Sequence, residues 1–280
     1  MSDAPGAFLN RFHLPIVRSV NELPKNNNVA LILALDSDQD AVESIQYIHQ
    51  HKNIAYFPIH RAFPTANYFR QNNMARRTLN ACFESAIEKY DLIDCENIIQ
   101  ALEETRDLPG HYVEIGVYKG SSARAALTYI EASGLQRTSY LLDTFSGFDY
   151  QEAQSSADLS WVNTHTDAGY EQVAKTLSAC KAPHVLIKSN IIADELPAVI
   201  DRICVCNIDV DMYEATMAAL VKAAPRIVRG GIMICEDIGH SPLTIGAVVA
   251  YKEFLKTEMG RNFRGIYLKS GQAFMVKFSD

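Results

Sequence analysis

The sequence predicts an α/β protein: a mostly parallel sheet closed by a C-terminal antiparallel hairpin strand, with a small N-terminal α/β appendage. Three observations carry this reading. Apolar runs of strand length alternate with helix-period segments over most of the chain. The run ICVCNI at 203–208 is apolar almost throughout, as a strand covered on both faces must be. The last two strands are separated only by a turn at Gly271, which forces a hairpin return at the sheet edge.

Taken in order, HYVEIGV (111–117) is a strand, followed by Gly120 and the helical SSARAALTYIEASG. SYLLDTF (139–145), HVLIKSN (184–190) and ICVCNIDV (203–210) are the next strands. The helix YEATMAALVKAAP leads to the strand GGIMICED (230–237), and the helix TIGAVVAYKEFLKTE leads to RGIYLKS and QAFMVKF. Between the second and third of these strands, residues 149–182 form a long polar connection holding Trp161 and His165. A connection of that length inside a compact domain signals function, often a lid. The tryptophan either covers a flat ring or substrate or anchors the loop.

Residues 1–90 read as a separate appendage, an oligomerisation arm or a substrate-side lid, and residues 91–280 as the main domain. In the appendage, NVALILAL (28–35) and IAYFPI (54–59) are strands, 38–51 is a helix, and a longer helix spans 66–91. Arg70, Arg76 and Arg77 on that helix read as a solvated face.

Composition bounds the function. With 280 residues and 48% hydrophobic composition the chain can bury a substantial core. A formal net charge of −7 argues against nucleic acid as the main partner. No apolar run approaches the roughly 18–20 residues that cross a bilayer, so no membrane partner is expected. The first residues hold no continuous apolar segment of signal-peptide type. Six scattered cysteines include no C-x-x-C and no zinc spacing; the CVC at 204–206 reads as small packed hydrophobes. A reduced, cytoplasmic protein is the expectation.

The pattern E-x-G-x-x-x-G-[ST] falls at Glu114, Gly116, Gly120 and Ser121, at a strand-to-helix turn. Glycine permits the tight turn and close approach of a ligand to the backbone, and the helix start offers free N–H groups. Asp143 ends the next strand, where a carboxylate can take both hydroxyls of a ribose. Dinucleotide and S-adenosylmethionine sites share that pairing. A carboxylate at Glu114 would repel a pyrophosphate yet suit the ammonium end of a methionine moiety, which disfavours a nicotinamide-dependent oxidoreductase.

The segments YVEIGVYKGSSA, LLDTFSGFD, IDVDMYEAT and GGIMICEDIG, in that order, resemble the macrocin O-methyltransferase family over roughly residues 110–255. The resemblance implies a Rossmann-like class I methyltransferase fold, S-adenosylmethionine as donor and a divalent cation, usually Mg²⁺. It also implies a hydroxylated small-molecule acceptor, commonly a sugar in natural product biosynthesis, and a dimer or higher homo-oligomer. From its motifs Glu114, Gly116, Gly120, Ser121, Ser122 and Asp143 carry over as donor-binding residues. Ser146 in TFSGF and Ser189 at the end of VLIKS join them.

Two acidic pairs, Asp209 with Asp211 and Glu236 with Asp237, end strands at the carboxyl edge, where ligands bind in parallel sheets. Unpaired carboxylates in one cleft are unfavourable, and a hard cation with oxygen ligands relieves them. Asp209, Glu236 and Asp237 are the expected metal ligands. Asp211 is the expected general base, following the second aspartate of the family's D-x-D pattern. The family's second pair is usually Asp-Asp, so Glu236 is a departure that changes ligand reach. His240 is a rival base. A methyltransferase-like scaffold without catalysis is the alternative from another class.

Overall fold

The computed structural model describes residues 30–33, 55–58, 73–84, 92–239 and 241–279. The chain divides into two compact units, Met1–Arg70 and Gln71–Asp280. The first contains β1 (Ala30–Leu33) and β2 (Ala55–Pro58), parallel partners with Ala30 opposite Ala55. Both fall inside the expected strands. The helix expected over 38–51, Arg70 and His240 lie outside the described residues.

The second unit opens with α1 (Asn73–Glu84), on which Arg77 is exposed, and α2 (Leu92–Glu104), a helix that sequence reading did not single out. Then follow β3 (His111–Ile115), α3 (Ser121–Ser133) and β4 (Ser139–Asp143). The long connection contains α4 (Tyr170–Leu177), which buries Val173 and Leu177. After it come β5 (His184–Lys188), β6 (Ile203–Ile208) and α5 (Tyr213–Ala223). The chain closes with β7 (Ile227–Cys235), α6 (Ile245–Phe254), β8 (Phe263–Tyr267) and β9 (Ala273–Lys277).

The seven strands β3–β9 form one sheet in the order β5-β4-β3-β6-β7-β9-β8. The first five are mutually parallel, and β9 runs antiparallel to both β7 and β8. This is the Rossmann-like architecture with a reversed C-terminal strand. Every residue of β6 is buried, because helices cover both faces of the sheet. On one face Val113, Ile115, Cys206, Ile208 and Met233 pack against Ala215, Ala219 and Leu220 of α5 and Tyr251 and Phe254 of α6. Tyr112 and Glu114, with the opposite parity, face α3.

β7 begins three residues earlier than the expected Gly230. Gly230 adopts φ 83°, and the register against β6 shifts between Ile203 and Val205, so the glycine pair lies inside an irregular strand rather than at its start. Beyond β5 the chain is gathered by two cations that bond to carbonyls. Lys222 Nζ donates to Ile191, Ile192 and Asp194, and the Arg226 guanidinium donates to Leu196, Pro197 and Ile200. Arg137, buried, donates likewise to the Thr105 carbonyl. Among the described residues no helix is long and apolar enough to cross a membrane.

Candidate active site

The glycine turn after β3 is shaped by the strand beside it. Gly116 has φ 90°, and a Cβ there would lie 1.8 Å from the Asp209 carbonyl oxygen. Its N–H donates to Leu142 O at 2.9 Å, while the Asp209 N–H donates to Ile115 O at 2.9 Å. Glycine is therefore what lets the first turn and the first aspartate occupy adjacent space. Gly120, at φ 85°, caps α3 in the left-handed region.

Asp143, at the end of β4, binds this turn. One carboxylate oxygen accepts from Val117 N at 2.7 Å and Tyr118 N at 2.9 Å, and the other accepts from Phe145 N at 2.6 Å. Asp143 also lines a cavity of ≈ 110 Å³, together with Gly116, Tyr118, Thr144, Asp209 and Asp211. An open groove of ≈ 410 Å³ continues from Thr144 past Ser146, Lys188, Ser189 and Asn190. The two spaces share Thr144, so an elongated ligand with two polar ends fits along the carboxyl edge of β3, β4 and β5.

Glu114 lies beneath the turn rather than in either space. It is fully buried and accepts from Tyr112 Oη at 2.6 Å and Ser122 Oγ at 2.5 Å. Burial pushes its carboxyl up to about 7, against the lowering effect of those two hydroxyls. Ser122 is thus tied to Glu114, and Ser121 stands at the first turn of α3. Ser189 and Ser146 line the groove; the Ser189 hydroxyl donates to Asp194 at 3.3 Å.

Three of the four strand-end acids converge. Carboxylate oxygens of Asp209, Asp211 and Asp237 lie within 4.8 Å of one another, and Asp211 N donates to Asp237 Oδ2 at 3.2 Å. Burial first, and then the neighbouring carboxylate of Asp211, raises the proton affinity of Asp209 and Asp237 well above the usual range. Asp211 is raised by burial too, with its hydrogen bond to Asp237 and the nearby His165 pulling the other way. Among the described residues no ion pair reaches this cluster. Like charges this close call for a proton or a cation, so the residues fit a hard divalent ion.

Glu236 points elsewhere. It accepts from Gln272 Nε2, and the Gln272 Oε1 in turn accepts from Asn97 Nδ2 and from Ser270 Oγ at 2.9 Å. Burial first, and then the charge of Asp209, raise the proton affinity of Glu236, but the three acids whose oxygens converge are Asp209, Asp211 and Asp237.

The long connection supplies the remaining wall. Trp161 Nε1 donates to Leu243 O at 2.8 Å, and its ring packs near Phe148 and His165 at 5.9 and 5.7 Å between centroids. Trp161 anchors the loop, whereas Phe148, Tyr150 and His165 line the cavity. Sequence reading did not single out His165 as a site residue. Among the described residues, five non-glycine residues have positive φ: Tyr118, Phe145, Asn163, His165 and Asp211. Three of them line this cavity, the distribution expected where backbone strain serves a site.

The family model described as macrocin O-methyltransferase (TylF) matches residues 66–261. The chain belongs to the macrocin O-methyltransferase family. A demethyldecarbamoylnovobiocin O-methyltransferase from Streptomyces niveus is 28% identical over 168 residues, covering 56% of this chain and 64% of that protein. From Streptomyces olivaceus, 8-demethyl-8-(2,3-dimethoxy-alpha-L-rhamnosyl)-tetracenomycin-C 4'-O-methyltransferase is 30% identical over 139 residues, covering 46% and 53%. The aligned part thus spans less than two thirds of each relative. Among solved structures, the O-methyltransferase NovP superposes with a TM-score of 0.59 at 22% identity, over 69% of this chain and 84% of its own. CalS11, a calicheamicin methyltransferase, gives 0.52 at 17%, over 79% and 95%. These two likenesses establish that this macrocin O-methyltransferase family member has the class I methyltransferase fold.

Proposed function

We propose that the protein is an S-adenosylmethionine- and Mg²⁺-dependent O-methyltransferase acting on a hydroxyl of a small natural product, a sugar. The observation that carries this reading is the convergence of Asp209, Asp211 and Asp237 beside a cavity bordered by the glycine turn and Asp143. The names of the two Streptomyces relatives, one of which includes a rhamnosyl group, support the sugar.

S-adenosylmethionine would supply the methyl group, and a divalent cation would supply Lewis acidity toward the acceptor hydroxyl. Asp209 and Asp237 would hold the cation. Glu236, expected beside them, instead holds Gln272 and so braces the end of β7. Asp211 takes the hydroxyl proton, because burial has raised its proton affinity toward the range a general base needs. The turn at Gly116–Ser121 and the Thr144–Ser146 segment receive the donor, with Ser189 at the far end of the groove. Fixing an oxygen nucleophile about 3 Å from the transferred carbon is the chain's main contribution.

Calorimetric titration of S-adenosylmethionine, with and without Mg²⁺ and with NAD as control, tests this. Binding of the methyl donor but not NAD is expected. Absence of donor binding under both metal conditions would sink the reading and leave a scaffold role.

A further inference from the structure

The hydrogen bonds around His165 favour one tautomer of its ring. Thr164 Oγ1 donates its single hydrogen to Trp161 O at 2.7 Å. The same oxygen lies 3.0 Å from His165 Nδ1 and has no second hydrogen to give, so it accepts there and Nδ1 is the donor. In the neutral ring Nε2 is then a bare lone pair. The ring is held edge-on by Tyr118 and Phe148, at 4.8 and 5.0 Å between centroids, so its direction is fixed as well as its tautomer.

The cavity that His165 lines is a hydrogen-bond acceptor nearly throughout. Asp209 and Asp211 present carboxylates there. Of the hydroxyls that line it, Tyr118 Oη donates to Asp167 at 2.9 Å and Thr144 Oγ1 to Gly147 O at 2.8 Å, which leaves the Tyr150 hydroxyl as a donor toward a ligand. The backbone N–H groups of Val117 and Tyr118 are taken by Asp143. A ligand that satisfies this wall must bring several O–H donors close together. The backbone at His165 (φ 57°) is held in place by the Phe148 N–H, which donates to Thr164 O at 3.0 Å.

We propose that His165 is an acceptor-binding residue whose Nε2 takes a hydrogen bond from a hydroxyl adjacent to the one methylated, so that the acceptor is a vicinal diol. The proposal rests on the methyltransferase reading and extends it from one hydroxyl to two. Asp211 serves the first hydroxyl and His165 the second. A monohydroxyl compound leaves the imidazole lone pair without a partner in a confined site, which disfavours it.

The test is long-range proton–nitrogen NMR on ¹⁵N-histidine-labelled protein with S-adenosylhomocysteine and Mg²⁺. The expected spectrum has His165 protonated at Nδ1 and bare at Nε2. Catechol, a rigid vicinal diol, is expected to move the Nε2 resonance, whereas phenol leaves it in place. His165→Phe keeps the ring packing and is expected to weaken catechol binding about tenfold by calorimetry, with S-adenosylhomocysteine affinity unchanged. A proton on Nε2, an Nε2 resonance unmoved by catechol, or catechol affinity equal in the variant overturns the proposal. Failure of the methyltransferase reading shows separately, as absence of S-adenosylhomocysteine binding, while the tautomer still reports on His165.

Discussion

The Tyr213 amide donates to Asp158 Oδ2 at 2.7 Å, joining the long connection to the first turn of α5, two residues beyond Asp211. The other Asp158 oxygen lies where a Cβ on Gly246 would be, 2.0 Å away. Glu214 strengthens the same seam by accepting from Gln154 N at 3.1 Å and Ser155 N at 2.8 Å. The wall that carries His165 is therefore fastened to the helix that begins two residues after Asp211.

Replacing Asp158 removes an N-terminal cap from α5 and loosens that wall. Asp158→Ala is expected to lose about 1–2 kcal/mol of stability in urea unfolding. Turnover should fall together with it. Stability unchanged within a few tenths of a kcal/mol would show that the seam contributes nothing.

Asp211→Asn keeps the shape of the side chain and removes its ability to take a proton. Turnover is expected to fall by about 100- to 10,000-fold, with donor affinity unchanged by calorimetry. A variant with ordinary turnover would exclude Asp211 as the base.

The second acidic pair should divide in function. Asp237→Asn is expected to weaken Mg²⁺ or Mn²⁺ binding by at least about tenfold, because it removes one of three converging carboxylates. Glu236→Gln, whose carboxylate serves Gln272, should leave metal affinity within about threefold and lower the melting temperature instead. Equal losses of metal binding in the two variants would return Glu236 to the ligand set.

Glu114 gives stability a pH dependence. Its carboxyl is raised to about 7 from an ordinary 4.5, so the folded chain holds a proton that the unfolded chain releases over that interval. The stabilisation is fully present below about pH 4.5 and is lost as pH rises through about 7, on the order of 3 kcal/mol across the window. Glu114→Gln should remove this component and leave a flatter stability profile in urea titrations. Identical slopes in the two proteins would refute it.

Gly147 and Gly134 make a matched pair, both with positive φ, 84° and 70°. A Cβ on Gly134 meets nothing within 4 Å, while one on Gly147 would lie 2.3 Å from Thr164 O. Gly134→Ala should cost about 1–2 kcal/mol of backbone strain alone. Gly147→Ala should cost more and, by displacing residues 164–166, perturb the His165 resonances.

Much of the fold was legible because its strands are uninterrupted apolar runs. HYVEI, SYLLD, HVLIK and ICVCNI each occupy the segment that their composition predicts. α4 was not legible, since its eight residues expose polar groups on all but one narrow stripe. Asp209 and Asp211 lie just past the end of β6, where a left-handed Asp211 (φ 52°) rather than a strand period accompanies the meeting of their carboxylates, and Glu236 and Asp237 lie in the turn after β7. The spacing of the two pairs therefore does not tell which three of the four acids converge. His165 carries no such signal: it reaches the cavity by a left-handed bend and a hydrogen bond to Thr164, neither of which leaves a spacing in the sequence.

The carbonyl-bonded cations have a consequence for encounter rates. Lys222 and Arg226 spend their positive charge on six backbone oxygens, and the buried Arg137 spends its charge on backbone and thiol groups. Those cations are therefore not directed at the carboxylates of Asp143, Asp209 and Asp211 in the cavity, in a chain whose formal net charge is −7. A low-dielectric cleft lined by one sign of charge concentrates field lines and draws in ligands of the opposite sign. A sulfonium-bearing donor would be steered toward the mouth from beyond contact range. Its association rate would then fall as ionic strength shortens the Debye length, while its dissociation rate changes little.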